Sequence, residues 1–74
     1  MNYKINMLWD DESDVWIATS DDVPGLVLES GSFAALVERL KIAVPELIQL
    51  NGKTPPTCSL RILAQRDEPI VAYG

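Results

Sequence analysis

The chain has no histidine and a single cysteine, Cys58, among its 74 residues. An intramolecular disulfide is therefore excluded, as is the usual zinc site built from several thiolates and imidazoles. Without histidine, serines such as Ser20 and Ser59 lack the ordinary base that would activate them as nucleophiles. Glycine is scarce too, and the stretch nearest to a phosphate loop, "ESGSF", has one glycine and no lysine. No apolar run reaches the roughly 18–20 residues that span a bilayer, and the N-terminus lacks the basic-then-apolar pattern of a secretory signal. These absences predict a cytoplasmic, non-catalytic domain that needs no cofactor or metal. Cys58, in an alternating stretch, reads as a small buried apolar side chain.

What is present is compact and acidic. A chain of 74 residues makes one domain, residues 1–74. Domains of this size bury only roughly 60% of the surface exposed on unfolding, so stability rests on tight packing or on a partner. The net charge of −5 is concentrated: Asp10, Asp11, Glu12, Asp14, Asp21 and Asp22 are opposed only by Lys4 in the first 22 residues, and the remainder is balanced. Such a surface repels phosphate backbones and attracts a basic partner, so direct nucleic-acid binding is not expected. A calcium loop starting at Asp10 would place Glu12 and Asp14 suitably, but Val15 stands where the sharp turn needs glycine and Asp21 where glutamate closes the site.

Periodicity sets the order of elements. Tyr3, Ile5, Met7 and Trp9 alternate with Lys4, Asn6 and Leu8, the pattern of a half-buried strand, and "VWIATS" resumes it after the polar "DDESD", predicting a hairpin. In "TSDDVPGLVLES" proline fixes its own φ and Gly25 suits the third position of a type II turn, so this stretch reads as a corner. "LVLE" is apolar on both faces and reads as a central strand or one with its second face covered. Ser32 is the expected N-cap of a helix beginning at Phe33, in which Leu36, Val37, Leu40, Val44, Leu47 and Ile48 form one apolar face. Pro45 should kink that helix toward solvent, and Gly52 suits its C-terminal stop. After the stiff "KTPPT" connector, Cys58 to Gln65 alternates as a further strand, and residues 69–74 read either as an extra short strand or as a loose tail.

The expected architecture is thus α+β, with order β-β-β-α-β: a three- to four-stranded, mainly antiparallel sheet packed on one long kinked helix. A single helix covers one face of such a sheet, while Leu8, Leu63 and one face of "LVLE" make the other face partly apolar. Those residues predict a homodimer or a protein partner.

"WDDESDVWIATSDDVPGLV" followed by "FAALVERLKIAVPEL" resembles a short uncharacterised bacterial family, a domain of unknown function related to the HicB-like antitoxins. The similarity spans most of residues 3–66, with Trp16, Asp22, Pro24 and Gly25 on the aromatic and Asp-x-Pro-Gly positions of the pattern. The tryptophan-rich hairpin and the Val-Pro-Glu-Leu helix end match the uncharacterised branch more closely than the antitoxins themselves. The resemblance implies a fold like a fragment of ribonuclease H without its catalytic acids, and a module that covers a small basic ribonuclease toxin. In the antitoxins a separate C-terminal segment binds DNA; this sequence stops at Gly74, before such a segment would begin, so none is expected here. On this reading Asp10, Asp11, Asp14, Asp21 and Asp22 steer the partner and Trp16 anchors it. The alternative is a self-assembling structural or ligand-responsive domain without a toxin, a dimer with its second sheet face buried between subunits.

Overall fold

The structure, a computed structural model, describes residues 2–52 and 59–71. Within them lie β1 (Asn2–Asp10), β2 (Val15–Thr19), β3 (Val27–Ser30), α1 (Phe33–Leu50) and β4 (Ser59–Gln65). The strands form one sheet in the order β3-β2-β1-β4. The β1–β2 and β2–β3 pairs are antiparallel, whereas β1 and β4 are parallel, so the sheet is mixed. The reason is directional: hairpin and corner reverse the chain twice, leaving β3 parallel to β1, and the helix carries the chain back before β4 sets out in the same sense. The "KTPPT" connector, Cys58 and the tail beyond Val71 fall outside the described residues.

Alternation sorts β1 cleanly. Tyr3, Ile5 and Met7 are buried beneath the helix together with Ala18 of β2, while Lys4 and Leu8 face away from it. From α1 come Leu36, Leu40, Val44 and Ile48, one residue per turn, which complete the core with Val23 and Leu26. Full burial of a side chain of this kind contributes roughly 1.5–3 kcal/mol.

The helix starts where the sequence places it, with Ser32 accepting the Ala35 N–H at 3.2 Å. It ends with Gly52 at φ 78°, whose N–H donates to the Gln49 carbonyl. Its 18 residues are an ordinary rather than a great length, and it runs unbroken through Pro45, which is half-buried instead of turned to solvent. The carbonyl that Pro45 leaves without a donor belongs to Lys41, on an exposed flank that water reaches.

The corner is more deeply embedded than its composition suggests. Leu26 N–H donates to the Val23 carbonyl at 3.2 Å and Gly25 has φ 86°, the geometry of a type II turn. Val23 and Leu26, the residues flanking the Pro-Gly pair, are both buried in the core. The chain leaving the turn enters β3, which lies at the sheet margin rather than its centre; Leu28 is half-buried and Val27 is exposed. Apolar residues on both faces of "LVLE" therefore reflect a buried turn residue and an open face, not a central position.

Candidate functional site

The face of the sheet turned away from the helix is covered by no element among the described residues. β1 contributes Leu8, β2 Ile17, β3 Val27 and β4 Leu63. The register puts Leu8 opposite Ile17, and Leu63 opposite Asn6, one step along the same face from Leu8. Leu8, Leu63 and Val27 are 51%, 47% and 69% exposed, and Ile17 is half-buried. Asn6, Thr19, Glu29 and Gln65 surround them, while Lys4 and Arg61 lie on the same face toward the other end of β1. Leu8, Leu63 and one face of "LVLE", which supplies Val27, were legible from alternation; Ile17 joins them only once the register is known.

The acidic residues occupy two separate places. Asp10, Asp11 and Asp14 sit in the β1–β2 hairpin, and Asp21 and Asp22 in the corner after β2. Five residues of β2 separate the groups, a distance of about 17 Å at the usual strand rise. That is beyond the Debye length of about 8 Å at physiological ionic strength, so the two groups act as two charges at opposite ends of the face and not as one patch.

Several of these carboxylates also hold the backbone. Asp22 Oδ2 accepts the Lys4 N–H at 2.8 Å, and Ser20 Oγ donates to the Lys4 carbonyl at 2.6 Å while accepting the Asp22 N–H. Asp10 Oδ1 accepts the Glu12 N–H, and Asp11 Oδ1 accepts from Trp9 Nε1 at 2.6 Å. Asp14 takes φ 53°, a left-handed conformation that aspartate tolerates in tight loops. Asp21 makes no such bond among the described residues and projects into solvent.

Trp16 lies on the helix side of the sheet. It is half-buried and meets Trp9 and Phe33 edge to face, with centroids 5.5 and 5.1 Å away. The Arg66 guanidinium covers Trp9 at 4.1 Å and bonds Glu68, closing the row. The structure therefore places Trp16 in an aromatic ladder on the face opposite Leu8 and Ile17. Beside the ladder is a shallow groove of about 380 Å³ lined by Leu8, Trp9, Asp11, Gln65, Arg66 and Asp67. The cation over Trp9 had no signal in local sequence, since Arg66 follows β4 and reaches β1 only through the parallel pairing.

Among the described residues no three acidic or thiol side chains are grouped to hold a metal ion, and no buried side-chain polar atom lacks a hydrogen-bond partner. No described helix is long and apolar enough to cross a membrane. What the arrangement offers is a partly apolar sheet face with an acidic hairpin at one end and, at the other, an acidic corner beside Lys4 and Arg61.

A family model described as Domain of unknown function (DUF1902) matches residues 2–73. The chain belongs to the DUF1902 family. The crystal structure of hypothetical protein TTHA1013 from the extremely thermophilic bacterium Thermus thermophilus is similar to this DUF1902 domain, with 41% sequence identity and a TM-score of 0.82. The alignment covers 97% of this chain and 100% of that one, so the similarity extends over the whole arrangement of sheet, corner and helix. No curated protein matches the chain. Neither description names a HicB-like antitoxin, so family membership rests on DUF1902 alone.

Proposed function

We propose that this DUF1902 domain is a non-catalytic protein-binding module of the bacterial cytoplasm, similar in role to a HicB-type antitoxin domain. It covers a small basic ribonuclease toxin with the helix-free face of its sheet. The observation that carries this reading is the cluster of Leu8, Ile17, Val27 and Leu63 on that face, with the acidic hairpin at one end and the acidic corner at the other. Apolar side chains at the centre exclude water, while the loops raise the encounter rate with a cationic surface and orient it. Asp14 and Asp21, which make no hydrogen bond among the described residues, are free to steer, and Asp10, Asp11 and Asp22 add charge while fixing the loops. Trp16 contributes by stiffening the hairpin from the helix side. A self-assembling structural or ligand-responsive domain without a toxin is the second reading, favoured by the outer side of β4, which no strand among the described residues covers.

The test begins with native mass spectrometry of the tagged protein taken from its own cells, at several salt concentrations. The expected result is a stoichiometric small basic protein whose ribonuclease activity is inhibited by the purified domain. Leu8→Lys with Leu63→Lys abolishes that inhibition, and Asp14→Asn with Asp21→Asn weakens it while flattening its salt dependence. Inhibition that persists unchanged in the doubly substituted face refutes the assignment of the surface. A purified homodimer free of any other protein at every salt concentration refutes the toxin.

A further inference from the structure

The two outer strands of the sheet are finished differently. β3 has four residues, and Arg39 of the helix donates from Nη1 to the Glu29 carbonyl at 2.9 Å, so that margin carries a guanidinium. β4 has seven residues with neither proline nor glycine, and among the described residues no side chain or loop hydrogen-bonds along its outer side. Sheets ordinarily blunt their edges with charges, prolines, bulges or covering segments, because a bare row of N–H and C=O groups accepts another strand. Here Arg61 is the sole charge in the strand. On the helix side Leu60 and Ile62 pack half-buried against the core and Ala64 is exposed.

We propose that β4 pairs antiparallel with β4 of a second copy about a two-fold axis at Ile62, joining two four-stranded sheets into one of eight strands. Ile62 is the midpoint of Ser59–Gln65, and the strand is complementary to itself about that point. Ile62 faces its own copy, Leu60 lies opposite Ala64, Ser59 opposite Gln65, and Arg61 opposite Leu63. Apolar residues thus meet apolar ones on the helix side, and no like charges stand directly opposed. Each acidic hairpin lies at the Gln65 end of its own β4, so the antiparallel sense sends the two hairpins to opposite ends of the joint. That separation, together with the self-matching pairs, selects a second copy over an unrelated strand as the occupant. The pairing is independent of a toxin, and it merges the Leu8–Leu63 surfaces of the two copies into one.

Leu63 provides the test, because it is half exposed on the helix-free face and charged residues there leave the core untouched. In this register Leu63→Lys sets an ammonium opposite Arg61 of the second copy, whereas Leu63→Glu sets a carboxylate there. Each contact occurs twice across the axis, so the Leu63→Lys dimer dissociates about tenfold more readily than the Leu63→Glu dimer. Adding Arg61→Glu to Leu63→Lys restores the opposite charges and the affinity. Sedimentation equilibrium from about 1 µM to 1 mM reads the dissociation constants, and circular dichroism confirms folding of each variant. Hydrogen exchange on the unsubstituted chain needs no variant, and protection of β4 amides rises with concentration. A monomer throughout that range, or a dimer equally sensitive to both charges at position 63, overturns the proposal.

Discussion

Replacing Gly25 by alanine isolates the contribution of one backbone angle. At φ 86° a side chain is strained whatever the space around it, yet the space itself is adequate: an added Cβ would meet Leu47 Cδ2 at 3.9 Å, an ordinary contact. A left-handed conformation costs an L-residue about 1–2 kcal/mol. Alanine also restricts the unfolded chain, which returns about 0.4–1 kcal/mol to the folded state. The net expectation is a destabilisation of about 1 kcal/mol. Scaled by the usual unfolding entropy per residue, that lowers the Tm of a 74-residue domain by about 6 °C. Gly31 is the control, because its φ is not in the left-handed region and its Cβ would lie 3.5 Å from the Asp14 carbonyl oxygen, again an ordinary contact. Gly31→Ala is therefore neutral or stabilising by up to about 1 kcal/mol. Urea titrations followed by tryptophan fluorescence measure both, since Trp9 and Trp16 are half-buried. Equal destabilisation by the two substitutions, or none at Gly25, would refute the claim that the turn angle sets the corner.

Three further outcomes follow from the packing. Leu40→Ala empties a fully buried site and costs about 2–5 kcal/mol, against a total stability of about 4–11 kcal/mol for a domain this small; thermal circular dichroism shows a Tm drop exceeding that of Gly25→Ala. Ser32→Ala removes the acceptor for Ala35 N–H and costs about 1 kcal/mol, with hydrogen exchange accelerated in the first helical turn. Asp22→Ala, which frees the Lys4 N–H, costs about 0.5–1.5 kcal/mol in a urea titration, while Asp21→Ala changes stability by less than about 0.5 kcal/mol.

Features governed by short-range chemistry were legible in the sequence. Ser32 capping the helix, the alternation from Tyr3 to Trp9 and the type II turn at Pro24-Gly25 depend on neighbours a few residues apart. Strand order depends on contacts far apart in the chain, and there the reading diverged. "LVLE" looked central because Leu26 and Val27 are both apolar, but Leu26 is buried as the last turn residue and Val27 is simply exposed. Val23 gave no local sign of being in the core; the pairing of β2 with β3 and the helix passing over the corner bury it. The acids were grouped by sequence proximity, yet an extended strand carries neighbours in sequence to opposite ends of a sheet. Trp16 could be assigned to a strand from its surroundings, but its face follows from register with Trp9 and from the helix that brings Phe33 against it.

β1 precedes the other described strands in the chain and lies inside the sheet, flanked by β2 on one side and β4 on the other. Its pairing with β2 needs only the hairpin, whereas its pairing with β4 joins Asn2 to Ser59 and Leu8 to Gln65, contacts that span most of the chain. On the ribosome, β1 therefore waits with one side unfilled until Gln65 has cleared the exit tunnel, and closure of the sheet is the late, slow step that such distant contacts impose. Until β4 is in place, the vacant side of β1 is a row of unpaired N–H and C=O groups that a strand of another chain can fill.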